Sequence, residues 1–427
     1  MTEGDPDTGA RMHSWARELW PICRSITGPG IRQTLDWLEA RLPGLTRHSF
    51  QTGEQVFDWT VPQEWHIRDA WIEHESGQRF AEFARNNLHV LGYSGPLDTE
   101  MSRAELLPLI YTQPEQPDLI PYVTSYYSPR TGFCMAESEK QRLPEGRYRA
   151  VIDASLSDGA LVLGELLIAG QTTQEVLFST YICHPSMANN ELSGPVLATA
   201  LAEYVRSLGP TRMSYRFLFL AETIGAIAYL SRHLTTLQKN VQAGFVLSCV
   251  GDERSWSHVE SRNGTTLADA ALSAALFGRS NVVRYSFLER GSDERQFCAP
   301  GIDLPVCGFC RSKYGTFPEY HTSADDLTLV TPTGLGESFA AMRSVIDAFE
   351  LPRTPRATVL GEPQLGKRGL YPTLSQKQAV HPARFRMNVL AYSDGANSVF
   401  DIARRIGVNL EDVVAELTLL RAHGLIA

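Results

Sequence analysis

The hydrophobic period of this chain changes along its length, and each change predicts a different kind of structure. From His13 to Leu42 apolar residues recur at helical spacing, with Trp15, Leu19, Trp20 and Ile22 before Thr27-Gly28-Pro29-Gly30 and Ile31, Leu35, Leu38 and Leu42 after it. This predicts two helices around a tight turn. Between Phe57 and Tyr127 the pattern gives way to short alternating stretches such as Ala70-Trp71-Ile72-Glu73-His74 and Leu88-His89-Val90-Leu91, punctuated by Gly and Pro. Alternation with frequent breakers predicts a small β-rich module inserted into a larger domain.

From Tyr148 the apolar runs lengthen and begin to alternate with helical segments. Arg149 to Asp153 and Ala160 to Ile168 are expected to pair as a hairpin. Val176 to Cys183, Ser214 to Leu220 and Ala243 to Val250 read as strands buried on both faces, separated by helices from Pro195 to Leu208 and through Ile227 to Leu230. Such an order predicts an α/β fold, a mostly parallel mixed sheet flanked by helices. Ligands of these folds collect beyond the carboxyl ends of the strands. His184, Glu222 and Asp252 each lie just past such an end, which puts three candidate residues on one rim.

Pro352-Arg353-Thr354-Pro355-Arg356 reads as a linker. Beyond it, Ser398 is placed to cap a helix through Val399, Ile402 and Ile406, and Gly407-Val408-Asn409 turns into a last helix bearing Val413, Leu417 and Leu420. The shape is that of a winged helix-turn-helix, yet the last helix carries Glu411, Asp412 and Glu416 against Arg421. That is the wrong charge for phosphate contacts, so docking or homo-oligomerisation is expected of this unit and nucleic-acid binding is not. The predicted domains are residues 12–56 with 128–351, the inserted module 57–127, and the C-terminal unit 365–427.

A chain of 427 residues with a formal charge of -9 is large enough for two or three domains and has no general affinity for phosphate backbones or anionic membranes. It lacks eighteen consecutive apolar residues and a basic, apolar start, so a cytoplasmic location without membrane association is expected. The seven cysteines are odd in number and scattered, as reduced core thiols would be. Cys307-Gly308-Phe309-Cys310 has no second Cys or His pair at zinc-finger spacing and reads as strand packing.

The candidate chemistry gathers around two histidines. His184 ends an apolar run and precedes Asn189-Asn190-Glu191-Leu192-Ser193-Gly194, and His321 stands in Glu319-Tyr320-His321-Thr322-Ser323. A strand end fixes the direction of an imidazole while the loop beyond leaves room for water and substrate, which suits a Zn²⁺ ligand. With Cys183-His184-Pro185-Ser186, Leu192-Ser193-Gly194, Glu222-Thr223-Ile224-Gly225 and Gly291-Ser292-Asp293-Glu294-Arg295-Gln296, these segments resemble zinc aminopeptidases of the M28 type. The closer resemblance is to a bacterial branch with an aminopeptidase-like domain, an inserted β domain (DUF2172-like) and a C-terminal winged-helix domain (DUF4910-like).

The resemblance implies a two-zinc site in which a bridging Asp, two His and two further carboxylates hold the metals and a Glu takes a proton from water. His184 and His321 match the two histidines and Glu222 matches the base. Asn190 stands where the bridging Asp is expected, Thr223 where a liganding Glu is expected, and the third acidic position falls near Ser248, with Asp252 the nearest carboxylate. One zinc ion is therefore expected rather than two, held by His184, Asn190 and His321, with Glu191 or Asp252 as a substitute ligand or a support. Asp293, Arg295, Arg311 and Tyr314 are candidates for substrate recognition, with Thr316 on the same approach and Tyr126 and Tyr127 as a pocket wall.

The function implied is metal-dependent hydrolysis of an amide in a small peptide or amino-acyl conjugate, with Glu222 relaying the proton. Replacement of acids by Asn190 and Thr223 keeps a second reading open: a noncatalytic relative that binds an amino-acid-like ligand or a protein partner. An acyl transferase or cyclase that excludes water is a third, because fold alone does not fix reaction type.

Overall fold

The computed structural model describes residues 6–371 and 380–427; residues 1–5 of the acidic start and 372–379 of the expected C-terminal unit lie outside the described residues. Its centre is an eight-stranded sheet in the order Thr46–Gln51, Ala160–Ile168, Ser214–Leu220, Glu175–Tyr181, Val241–Leu247, Val306–Cys310, Trp256–Val259, Val282–Tyr285. Ser214–Leu220, Glu175–Tyr181, Val241–Leu247 and Val306–Cys310 run parallel. The first two strands are antiparallel, and so is the contact of Trp256–Val259 with Val306–Cys310.

Burial explains why these runs become strands. Every residue of Glu175–Tyr181 and Ser214–Leu220 is buried, as expected where both faces are covered. Phe178 stacks on Phe217 and Phe245 with ring centroids 5.2 and 5.6 Å apart, tying three neighbouring strands through one side-chain layer. Helices Pro6–Leu19, Ser193–Ser207 and Pro332–Glu350 pack on one another, and Pro29–Arg41 and Ile224–Asn240 lie against Ala160–Ile168. Gly194 lets the helix Ser193–Ser207 begin directly above the strand ends. A Cβ there would stand 2.2 Å from Thr180 Oγ1 and 2.5 Å from the Leu247 carbonyl oxygen.

The expected hairpin does not form. Arg147–Ser157 instead joins a second sheet in the order Arg79–Phe80, Glu64–His74, Arg147–Ser157, Leu97–Ser102, and Ala160–Ile168 joins the main one. The physical reason lies in the two periods. Burial alternates along Arg147–Ser157, as in a sheet with one covered face, whereas it is nearly continuous along Ala160–Ile168. The small sheet thus draws a central strand from beyond residue 127.

The C-terminal unit contains helices Val380–Tyr392, Val399–Ile406 and Leu410–Ala422. Ser398 caps the second in a capping box with Asp401, and Gly407 ends it in the left-handed conformation at φ 68°. The stretch read as a linker leads straight into pairing, for Arg356 bridges to Asp394 and Ala357 to Ile426. The unit docks on the body through the Phe349–Phe400 contact and through Arg279 and Glu411, 3.5 Å apart. Arg386 lies 2.5 Å from Glu416 and Asn409 Nδ2 donates to Asp412 at 2.8 Å, so all three acids of the last helix have intramolecular partners. No helix among the described residues is long and apolar enough to cross a membrane.

Candidate functional site

At the carboxyl rim of the parallel strands the backbone is strained. Ser186, Thr223, Cys249 and His321, none of them glycine, adopt φ of 45°, 64°, 53° and 57°. Such residues cost about 1 to 3 kcal/mol each and persist only where their surroundings over-determine them. Thr223 illustrates how: its N–H donates to Asp293 Oδ1 at 2.7 Å and its hydroxyl accepts from Arg295. Because Thr is β-branched, this conformation needs both partners.

The strain surrounds a histidine pair. His184 and His321 face each other with ring centroids 5.8 Å apart, and Tyr122 packs against both at 5.3 and 5.1 Å. His184 Nδ1 is hydrogen-bonded to Glu191 at 2.8 Å, while Nε2 lies 3.7 Å from Glu222. With the proton of the first bond on Nδ1, Nε2 presents its lone pair on the Glu222 side. Burial holds both imidazoles down to about 3, with the Arg24 charge adding to the effect at His184 and His184 adding to it at His321. Both rings are therefore neutral at ordinary pH.

Around them carboxylates outnumber cations. Glu191 and Arg24 have fully buried side chains 3.5 Å apart, and burial pushes the Glu191 carboxyl up to about 8 against the pull of Arg24. Glu222, 23% exposed, is pushed up to about 8 by burial and then by the charge of Asp293. Burial likewise raises Asp293 to about 7, opposed by the Thr223 N–H and by Arg295. Glu294 is buried too, accepting from the N–H groups of Gly291 and Ser292 and from the Tyr314 hydroxyl. Four carboxylates thus share this region with two guanidinium groups, Arg24 and Arg295.

A cavity of about 320 Å³ opens onto this arrangement. Trp59, Tyr126 and Tyr127 form its aromatic wall, and His184, Glu222, Thr223 and Arg295 its polar side. The segment carrying the tyrosines is fastened to the histidine loop: Tyr122 N–H donates to the His321 carbonyl at 2.9 Å, and Pro121 bridges to Thr322. The inserted region therefore contributes directly to the pocket.

Other sequence candidates stand differently. Asn190 is buried, but its Oδ1 accepts from the Tyr181 hydroxyl at 3.2 Å and its Nδ2 approaches Met187 Sδ at 3.8 Å. As arranged it holds Tyr181, whose ring contacts His184 at 5.1 Å, rather than reaching the imidazoles itself. Asp252 accepts from Asn189, from the Ser312 N–H and hydroxyl, and from the Arg254 N–H, so it braces loops and has no capacity left for a metal. Arg311 stacks on Trp256 and pairs with Glu337 at 2.7 Å, which removes it from substrate recognition. Tyr314, bound to Glu294 at 2.6 Å, supports the acidic run from behind. Thr316 donates to the Lys313 carbonyl within its own turn. All seven cysteines are free, and Cys307 and Cys310 are packed in a buried strand.

Sequence reasoning assigned nothing to Asp325, Arg24 or Tyr122. Asp325 accepts from the N–H groups of Asn189 and Asn190 at 2.6 and 2.9 Å and so shapes the π-helical turn Ala188–Leu192 that carries Glu191. Its position four residues after His321 was the available signal. Arg24 donates to the His184 carbonyl at 3.1 Å and sits in Cys23-Arg24-Ser25, where nothing in the pattern announces it.

Among the described residues, one group at this rim has three potential ligand atoms within 4.8 Å of one another: Cys183, His184 and Glu191. Burial keeps the Cys183 thiol protonated, and Glu191 is bonded to His184 Nδ1, so this group supports His184 from behind. The two neutral imidazoles and Glu222 stand together at the cavity, but they do not bring three ligand atoms within 4.8 Å of one another.

Comparison with known proteins agrees with this architecture. A protein of Clostridium acetobutylicum, whose name joins polysaccharide biosynthesis to an aminopeptidase-like domain, is 42% identical over 418 residues, covering 96% of this chain and 94% of its own. A crystal structure from the same species, carrying a provisional peptidase label, is 40% identical with a TM-score of 0.90, over 99% of this chain and 97% of that one. The Bacillus subtilis zinc aminopeptidase BSAP shares the fold at 12% identity, with a TM-score of 0.56 over 80% of this chain and 95% of that one. A winged helix-turn-helix model matches residues 353–427. The DUF4910 model matches residues 13–351, so that label belongs to the body with its inserted module and not, as the sequence reading had it, to the C-terminal unit. The chain belongs to the family defined by that domain of unknown function, DUF4910, built on an aminopeptidase-like fold and completed by a winged helix.

Proposed function

We propose that this protein hydrolyses an amide bond in a small peptide or amino-acyl conjugate, with one zinc ion held by His184 and His321. The observation that carries the reading is the meeting of two neutral, facing imidazoles with Glu222, 3.7 Å from His184 Nε2, at the mouth of an aromatic-walled cavity. A bound zinc ion would supply Lewis acidity to the scissile carbonyl. Glu191 and Arg24 fix the ring and the backbone of His184, and Tyr122 packs against both imidazoles. Glu222, with its proton affinity raised to about 8, takes the proton of the attacking water and returns it to the nitrogen of the departing amine. Trp59, Tyr126 and Tyr127 exclude water from one side of the bond.

A noncatalytic binding role is the second reading, and Asn190 favours it, because a neutral carboxamide stands where the resemblance expects a bridging acid. One experiment separates the two. Protein purified without added metal is analysed for zinc and assayed on a panel of peptides and amino-acyl conjugates, with and without chelator, alongside Glu222→Gln. Hydrolysis lost on chelation and reduced about 10²- to 10⁴-fold in Glu222→Gln supports the enzyme. Hydrolysis absent across the panel in zinc-loaded protein supports the binding role.

A further inference from the structure

Arg295 is the one cation among the polar groups on the cavity wall, and its hydrogen-bonding capacity is largely unfilled. It sits on the short helix Glu294–Phe297, where one Nη donates to the Thr223 hydroxyl. Its Nε is buried without a partner, and among the described residues it forms no ion pair. The neighbouring acids make their hydrogen bonds elsewhere, Asp293 Oδ1 with the Thr223 N–H and Glu294 Oε1 with the Gly291 and Ser292 N–H groups and Tyr314, and act on Arg295 through charge alone. A guanidinium offers five donors in a rigid fork, a geometry that fits a carboxylate with two parallel hydrogen bonds.

The fork also lies near the reacting end of the pocket: Arg295 is anchored on Thr223, the residue next to Glu222, and all three line the same cavity. A group seated on Arg295 is therefore borne by the residue flanking the bond that Glu222 serves, not by a remote part of the substrate. Resting on the amide-hydrolase reading above, we propose that Arg295 is a carboxylate subsite, and that the substrate is an N-acyl amino acid or a dipeptide whose free carboxylate lies one residue from the scissile amide. Trp59 and Tyr127, whose rings meet at 5.1 Å, then receive the apolar part of the substrate on the opposite wall.

The test is a binding measurement on the full-length chain carrying Glu222→Gln, so that turnover plays no part. Calorimetric titration with Leu-Gly, its C-terminal amide and Leu-Asp amide is compared in the presence and absence of Arg295→Met and Arg295→Lys. The free acid is expected to bind about 10- to 100-fold more tightly than the amide, the range for a charge-assisted pair. Arg295→Met is expected to erase that difference, and Arg295→Lys to keep part of it while showing that the fold survives. Leu-Asp amide matching Leu-Gly supports the subsite with the carboxylate supplied by a side chain. Equal affinity for acid and amide, a preference that survives Arg295→Met, or no binding of any of the three at millimolar concentration overturns the proposal. Because the readout is affinity, a failure of hydrolysis leaves this result standing, and hydrolysis without acid preference removes the subsite alone.

Discussion

Two histidine–carboxylate pairs in this molecule look alike in composition and differ in everything that matters for chemistry. His258 Nε2 meets Asp269 at 3.1 Å, and His184 Nδ1 meets Glu191 at 2.8 Å; all four residues are buried. Asp269 also accepts from the N–H and hydroxyl groups of both Ser261 and Thr266, capping the helix Leu267–Ala275. Every acceptor position is occupied, and these bonds hold its carboxyl far below the usual range despite burial. At the rim the reverse holds. Of nine buried side-chain nitrogen and oxygen atoms without a partner among the described residues, six belong to Arg24, Glu191, Ser292, Asp293, Glu294 and Arg295. A histidine beside an acid is therefore structural where its bonds close on one another, and available for function where they open onto a cavity.

Acid titration should divide the two regions most strongly. In chelator-treated protein, His184 and His321 titrate near 3 when folded against an ordinary value of 6.5. The unfolded chain binds those protons first, so the histidine contribution is complete above about pH 6.5 and is lost as pH drops toward 3, while the raised carboxyls of Glu191, Glu222 and Asp293 act in the opposite sense and add stability as pH falls below about 8. Asp269, lowered from 3.8, loses its contribution only below about pH 4. Urea unfolding of the wild type and of His321→Asn across pH isolates one histidine, the variant gaining stability relative to the wild type as pH falls from about 6.5 to 4. A difference between the two proteins that stays constant from about pH 7 to 4 would contradict a buried neutral His321.

Asp269→Ala comes next. It orphans the donors of His258, Ser261 and Thr266, and should lower unfolding free energy by about 3 to 5 kcal/mol without altering zinc content at the rim. The companion change, Glu191→Gln, should act on the rim as well. Zinc affinity, read by competition with a chelator, should fall about 10- to 100-fold, since Glu191 orients His184, alongside a loss of stability because the buried Arg24 loses its acid. Loss of stability in place of affinity would make the two pairs equivalent.

Asn190→Asp sharpens the contrast further. If a metal is held here, the added carboxylate should raise zinc affinity. If the pocket only binds ligands, the same change should cost roughly 1 to 3 kcal/mol as an unpaired buried charge. Unchanged zinc affinity in this variant counts against the metal. The smallest effect is expected at the docking seam, where Arg279→Ala removes a partly exposed pair with Glu411 and should shift stability by less than about 1 kcal/mol.

Much of this was written in the order of residues, and some was not. Strand cores from Val176 to Val250 were legible because continuous apolar runs broken by helical segments have few other solutions, and the positions just past them put His184 and Glu222 on one rim. Arg149 to Asp153 was misassigned to a hairpin with its neighbour in sequence; the alternation along that strand was the cue that it faces solvent on one side and belongs to another sheet. Arg311 and Asp252 were attractive by charge and position, yet their side chains are filled by Trp256, Glu337, Asn189 and Ser312, partners that only tertiary packing brings near. Arg24 was illegible for a related reason: it acts on the His184 carbonyl 160 positions away, and no periodic pattern encodes that.

The strand Thr46–Gln51 has a further consequence, for the order in which the molecule assembles. It pairs with Ala160–Ile168, and His48 and Glu165 across that edge are 117 residues apart in the chain. Closing so long an excursion is entropically costly while the intervening segment is loose, and pairings of this range slow folding. The small sheet draws the two ends of the excursion together when Glu64–His74 takes up Arg147–Ser157. The module that walls the pocket in the finished protein is thus also expected to act as the clasp during folding, and weakening it should delay completion of the main sheet before it disturbs any contact at the rim.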